Sequence, residues 1–386
     1  MGLFIISTAF LLIFLLAENF IHSGRLRKIP LRISVSGTRG KTTIVRLLAS
    51  VFRKNGMVVL AKTTGSEAKY ILPDGSEKPV RRWGITTIME QKRLIKLALK
   101  LKADCIITEI MSINPENHYI ETQKLIRPGI TILSNFRPDH TSKIYLSPEE
   151  ASASFLNDIF PSSKMFIHEN ELNGDLENAV YRKGSELIRV TDGFFDGAGL
   201  PEGVLNYRFS ENLDLVSSVS RFHGIGYNRI LEGITEAKLD IGNFEINRFS
   251  REGKETCFVN SFAANDPLST SILIRKALTI TGKDDSFVYG IISLRNDRGE
   301  RSKQWLDFLS SANSCHFRKV FVSGRHAKIF QRNLCSCEIL KNRDPGYITS
   351  YIIDHTENGA VIFGLANISG LGSELVNYWN QAGMKI

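Results

Sequence analysis

Apolar and polar positions along this chain form an alternating series. Residues Gly2 to Ala17 are uncharged and almost wholly apolar. Counted on through Glu18 and Asn19 to Phe20 and Ile21, the run reaches the roughly 20 residues of a membrane-spanning helix. Pro30 stops any helix. The β-branched run Leu31 to Val35 then predicts a strand, and Ile44 to Phe52 repeats apolar residues at helical spacing. The same logic predicts a strand at Met57 to Ala61 and a helix at Met89 to Leu101. Asp104 to Glu109 reads as an apolar strand closing on a carboxylate, followed by a helix at Asn117 to Ile126 and a strand at Gly129 to Leu133. Ser147-Pro148-Glu149-Glu150 opens a helix expected to reach Phe160. A strand at Met165 to His168 and paired helices at Asn212 to Phe222 and Tyr227 to Ala237 complete this half. Residues Ile71 to Trp83, rich in Pro, Gly and charge, read as a surface excursion. Glu169 to Phe209 shows no regular pattern.

Around Asn243 the texture changes. Phe244, Ile246 and Phe249 suggest a strand of a new domain, with Cys257 to Asn260 as another. From Pro267 helix and strand alternate again: helix to Leu278, strand Ser286 to Leu294, helix Lys303 to Leu309, strand Val320 to Ser323, helix Tyr347 to Asp354, strand Ala360 to Leu365 and helix Gly372 to Tyr378. The expectation is an α/β protein with two parallel sheets, each with helices on both faces, the second domain smaller than the first. The segments are an apolar anchor over 1–22, a first domain over 30–240 and a second over 243–386.

Composition narrows this picture. The 386 residues, 42% hydrophobic, suffice for two cored domains. The formal charge of +9 suits nucleic acid, anionic lipid or an acidic substrate. No basic run interleaved with aromatics and no nucleic-acid module is legible, so nucleic acid is not an expected partner. Five cysteines, an odd number without framework spacing, fit a reducing compartment. Cys335-x-Cys337 lacks the second pair a zinc site needs. No basic side chain precedes the apolar run, whereas Arg25, Arg27 and Lys28 follow it, so the positive-inside rule predicts a single-pass anchor in the cell membrane with both domains cytoplasmic.

The candidate chemistry centres on Gly37-Thr38-Arg39-Gly40-Lys41-Thr42-Thr43, set between strand and helix. Glycines let backbone amides approach an anion, the helix start points its dipole at it, and Lys41 adds a full charge. Thr42 would offer its hydroxyl to Mg²⁺. The general nucleotide loop G-x-x-x-x-G-K-[ST] asks for glycine at Val35, so only the shorter G-T-x-G-K-[ST] matches. Lys62-Thr63-Thr64-Gly65 after the second strand could face nucleotide or substrate. Glu109 and Asp139-His140 both follow strands, and strand ends on one sheet edge gather ligands, so Glu109 and His140 join Thr42 as candidate metal ligands.

The short loop resembles that of the Mur ligases and folylpolyglutamate synthetases. Further islands resemble, in order, the ligase subunit of poly-γ-glutamate synthase, a Mur ligase-like capsule-polymer enzyme. They are Lys62-Thr63-Thr64-Gly65, Glu109-Ile110-Met111-Ser112-Ile113-Asn114-Pro115, Asp139-His140, Val259-Asn260-Ser261-Phe262-Ala263-Ala264-Asn265-Asp266, Arg295-Asn296-Asp297-Arg298 and Asn367-Ile368-Ser369-Gly370. The resemblance implies an ATP- and Mg²⁺-dependent amide ligase that phosphorylates the terminal carboxylate of a glutamate chain and lets an amino group displace the phosphate. It also implies glutamate and a poly-γ-glutamate chain as substrates, small membrane subunits as partners, and compatibility with a homo-oligomer. Lys41, Glu109, His140, Arg295, Asp297 and Arg298 would be catalytic. Gly37 to Thr43 and Asn212 would bind nucleotide, Asn212 resembling an adenine contact. Lys62, Thr63, Thr64, Asn265 and Asp266 would bind substrate. The lysine that Mur enzymes carry a little after the histidine is replaced here by Ala153-Ser154-Phe155-Leu156, so the resemblance does not extend to a second metal bridged by it. A nucleotide loop behind an anchor is also open to another reading, a membrane-tethered switch or kinase-like regulator.

Overall fold

The computed structural model describes residues 2–65, 68–82, 84, 86–112, 114–136, 154–193, 210–238, 240–264, 266–311 and 317–386. They divide into two compact units, the first ending at Lys238 and the second taking the remainder to Ile386.

In the first unit, β1 (Leu31–Ser36), β2 (Val59–Thr63), β3 (Lys69–Ile71), β4 (Glu77–Pro79), β5 (Cys105–Glu109), β6 (Ile130–Leu133), β7 (Lys164–His168) and β8 (Glu186–Val190) form one sheet of order β4-β3-β2-β5-β1-β6-β7-β8. The strands from β2 to β8 in this order are parallel. Such strands are buried on both faces, which explains their near-continuous apolar runs. Val35 lies opposite Glu109 on one side and Ile132 on the other, so the ends of β5, β1 and β6 open on one edge. Three expectations change. Residues 71–83 are not merely a surface excursion, because β3 and β4 extend the sheet as an antiparallel hairpin that buries Ile71 and Val80. The interval after Glu169 holds a helix, Gly174–Arg182, whose Leu176 and Val180 bury one face, and the edge strand β8. The helix expected over 117–126 is a short α-turn, Pro115–Tyr119, continued as a π-helix, Ile120–Ile126. Of the helix expected from Ser147, residues 147–153 lie outside the described ones.

The amino-terminal run is a single helix, α1 (Gly2–Arg27). Its stretch Phe4–Arg27 is long and apolar enough to cross a membrane, and none of its most apolar window is buried. Thr8 and Ser23 return their hydroxyls to the Phe4 and Asn19 carbonyls, so they fit an apolar setting. From Glu18 onward the helix docks on the unit: Glu18 pairs with Lys92 at 2.5 Å, the His22 ring nitrogen meets the Leu125 carbonyl at 2.9 Å, and Leu26 packs with Ile29, Leu94, Ile95 and Ala98. The docked portion thus begins before residue 22, where the anchor was expected to end.

The second unit carries β9 (Ile246–Arg251), β10 (Lys254–Val259), β11 (Val288–Ser293), β12 (Lys319–Ser323), β13 (Cys337–Ile339), β14 (Val361–Ala366) and β15 (Met384–Lys385), ordered β13-β12-β11-β14-β10-β9-β15. Alternate residues fill opposite cores: Val288, Val259 and Val320 face a cluster with Trp305, while Tyr289, Phe258 and Phe321 face one with Trp379. The inner strands are parallel, but β9 and β15 close the edge antiparallel.

Candidate active site

The loop from Gly37 to Gly40 leaves β1 and enters α2 (Lys41–Lys54). Gly37 and Gly40 take φ of +113° and +84°, a region L side chains rarely adopt. A Cβ on Gly37 would lie 2.2 Å from Ser134 Oγ, and one on Gly40 2.6 Å from Asn212 Oδ1. Buried Asn212 therefore packs against the loop itself. Helix α2 has no side-chain cap, so no side chain competes for the amides of its first turn, where Thr42 and Thr43 are half-buried. Lys41 Nζ folds back on the Gly37 carbonyl, with the Thr38 carbonyl at 3.4 Å. Asn135, just past β6, clamps the loop. Its Oδ1 accepts from Thr38 Oγ1 at 2.7 Å and from the Arg39 amide at 3.1 Å, its Nδ2 donates to the Arg39 carbonyl at 3.1 Å, and its own carbonyl accepts from the Thr38 amide at 3.0 Å. The sequence placed Asn135 at the right strand end but assigned it no role.

Glu109 ends β5 almost fully buried. Its Oε2 accepts from Thr64 Oγ1 at 2.6 Å, while Oε1 is buried with no hydrogen-bond partner among the described residues. Lys62 and Thr63 do not share that opening. Both are fully buried, and Lys62 Nζ lies 3.3 Å from Glu90 Oε2, whose other oxygen binds Arg82 Nε at 2.7 Å. Lys62 was expected at the mouth of a turn; it lies instead within an internal strand, with its charge paired inside the fold. Burial pushes the Lys62 ammonium below its usual range, against the pull of Glu90 and Glu121. Burial alone would raise Glu90, yet Arg82 and Lys62 together hold its carboxyl below the ordinary value. Glu121, buried and thereby raised, accepts from the Met111 and Ser112 amides, the Ser112 hydroxyl and Gln91 Nε2. Gln91 also donates to the Glu109 carbonyl at 3.2 Å. The two helix-borne residues thus fix the chain on either side of Ile110.

Beneath the loop, Ser36, the last residue of β1, donates to Asp158, which also meets His118 Nδ1 at 2.9 Å and Thr122 Oγ1 at 3.1 Å. Burial would lower the His118 imidazole, but the charge and hydrogen bond of Asp158 outweigh it and hold it above the usual histidine range. None of these partners was legible from spacing.

In the second unit, Asp266 caps the helix Pro267–Thr281 by accepting from the Ser269 amide at 2.8 Å. Arg295 and Asp297 pair bidentately with each other, at 2.9 and 2.7 Å, on an exposed turn after β11. This hydrogen bond holds the Asp297 carboxyl below its ordinary range. Arg298 is exposed at the start of the helix Gly299–Ser310. Behind that turn, Asn367 donates to the Ser293 carbonyl at 2.8 Å and accepts from Arg301 Nη1 at 2.7 Å, joining the ends of β11 and β14. Ala366 beside it holds φ +76°, a costly conformation for a residue with a Cβ. His140 and Asn265 lie outside the described residues.

Residues 35–164 match the Mur ligase middle domain. Residues 246–382 match the poly-gamma-glutamate synthase CapB C-terminal domain. Among solved structures, the bifunctional folylpolyglutamate synthase/dihydrofolate synthase of Yersinia pestis, complexed with AMPPNP and a Mn ion, superposes with a TM-score of 0.69 at 13% identity, over 95% of this chain and 92% of that one. MurF of Acinetobacter baumannii gives 0.59 at 11% identity, over 94% and 80%. The chain thus shares the fold of these enzymes, and about a third of it matches the Mur ligase middle domain. A further third, in the second unit, is similar to the carboxyl-terminal domain of poly-gamma-glutamate synthase CapB. The capsule biosynthesis protein CapB of Bacillus anthracis is 30% identical over 312 residues, covering 78% of this chain and 65% of that protein. The PGA synthase CapB of Bacillus subtilis is 26% identical over 313 residues, covering 79% and 78%. The chain therefore spans just under two thirds of the length of the Bacillus anthracis relative.

Proposed function

We propose that this chain is an ATP-dependent amide ligase that extends poly-γ-glutamate through an acyl phosphate, working at the membrane through α1. The observation that carries the reading is the buried Oε1 of Glu109, unpartnered among the described residues and one strand from a glycine cradle in a chain of this domain composition. A buried carboxylate oxygen without a donor is costly, and a cation is the group that offsets it. Thr42 and Glu109 fit a divalent ion, for which we propose Mg²⁺, with His140 added on the family resemblance. When bound, the ion and ATP supply charge neutralisation and the transferable phosphoryl group.

The chain's own residues do the rest. Uncapped amides of α2 and Lys41 Nζ receive phosphate oxygens, Lys41 giving up its present carbonyl contacts for stronger anionic ones. Asn135 and Asn212 hold the loop in shape, and Thr64 orients the Glu109 carboxylate. In the second unit, Arg298 opens the helix whose Arg301 bonds Asn367, and arginine suits carboxylate groups of glutamate. Arg295 serves there only if substrate displaces Asp297. We further propose small membrane subunits as partners and cytoplasmic placement of both units; a homo-oligomer is compatible with this arrangement.

The test is detergent-solubilised full chain with ATP, Mg²⁺ and labelled glutamate. ADP release that depends on glutamate or oligoglutamate, together with an acid-stable labelled polymer, is expected. ADP release indifferent to glutamate would favour a nucleotide switch and overturn the ligase.

A further inference from the structure

We propose that His168, Asp192 and Asp214 form a second divalent-metal site, apart from the nucleotide cradle, that takes Zn²⁺ or Mn²⁺ and ties the far end of the first sheet to the helix bracing the loop. His168 is the last residue of β7, Asp192 follows β8, and Asp214 lies in the helix Ser210–Phe222. One ligand atom from each lies within 4.8 Å of the others. His168 is fully buried, and its Nε2 makes no hydrogen bond among the described residues. Asp192 Oδ1 stands 3.2 Å from that nitrogen but off the direction in which a ring proton could be donated. A buried polar atom thus aims at two carboxylates without being satisfied by either, an arrangement a cation would complete.

The donor set selects the ion. One imidazole nitrogen with two carboxylates suits Zn²⁺ or Mn²⁺, whereas Mg²⁺ and Ca²⁺ favour all-oxygen shells. Binding is a ligand exchange with no redox step. The ion takes the Nε2 lone pair, the proton of the neutral ring resides on Nδ1, and the Asn170 amide contact to Nδ1, long at 3.4 Å, opens. Strand order separates this site from the first, because β7 is three strands from β5 and its Glu109, roughly 14 Å at the usual strand spacing. One ion cannot serve both. Asp214 shares its helix with Asn212, which lies against Gly40, so an ion here would stiffen the wall of the loop.

The test uses full-length chain in detergent, stripped with EDTA and free of nucleotide, titrated with Zn²⁺ and assayed for retained metal after gel filtration. Wild type should retain one ion that Asp192→Asn binds at least tenfold more weakly. The metal-free variant should melt like metal-free wild type, because Asp192 is 65% exposed and supports no packing. Glu109→Gln should bind this ion as wild type does. The proposal fails if wild type binds no ion without nucleotide, if Asp192→Asn binds equally well, as it would were Cys335 and Cys337 the ligands, or if Glu109→Gln abolishes binding.

Discussion

Replacing Asn135 by alanine should weaken nucleotide binding far more than it weakens the fold. The side chain accepts two hydrogen bonds and donates one to the loop, and alanine leaves the buried amide and carbonyl of Arg39 to find other partners. At about 1 kcal/mol net per bond, with part recovered by water entering beside the loop, the ordered loop should lose about 2 kcal/mol. The Thr38 amide still reaches the Asn135 main-chain carbonyl, so the strand end stays in place. If binding must restore the loop geometry, the dissociation constant for ATP rises about 30-fold, at 1.4 kcal/mol per decade. If the whole cost fell on folding instead, the melting midpoint would drop by about 4 to 8 °C for a unit of this size. Calorimetric titration with ATP and a thermal melt measure the two separately. Asn135→Asp keeps the acceptor but turns the donor into a charge facing the Arg39 carbonyl, and should bind ATP more weakly than alanine does. An alanine variant that binds ATP within threefold of wild type would refute the assignment of Asn135 as the clamp.

Lys62→Met should destabilise the first unit by about 3 kcal/mol in urea unfolding, toward the low end for broken buried ion pairs because Arg82 still serves Glu90; a higher KM for glutamate at unchanged stability would restore Lys62 to the substrate. Because His118 titrates above its unfolded value of about 6.5, its pairing with Asp158 stabilises fully below that pH and is lost as pH rises through the raised value, so unfolding free energy should fall on the alkaline side in wild type and lose that slope in His118→Asn. Deleting residues 1–17 should leave the melting midpoint unchanged and reduce detergent dependence, whereas deletion through residue 28 should cost several kcal/mol by emptying the Leu26 position in the core; equal midpoints for the two would show that docking of the helix contributes nothing.

The parts of the site carried by strand ends were legible because a short apolar run bounded by glycine or a carboxylate fixes where a side chain emerges. Gly37 to Thr43 and Glu109 lie on the edge that such reasoning assigns. Lys62 was misplaced for the same reason: it reads as the first polar residue after a strand, yet β2 runs to Thr63, and only Glu90 and Arg82, far away in sequence, make a buried lysine tolerable. Glu121, Gln91, His118 and Asp158 act through folded proximity from the helical layer, and no local spacing marks them. The hairpin at residues 69–79 was obscured because its strands are short, with Pro79 at the open edge where a missing amide costs little.

The continuity of α1 leaves no slack between bilayer and body. With the helix acting as the anchor, the body cannot hang on a leash. Around such an anchor the Glu18–Lys92 pair and Arg127, which contacts Asn19, would lie at the depth of the lipid headgroups. The first unit would then stand at a fixed height above the membrane rather than on a swinging arm.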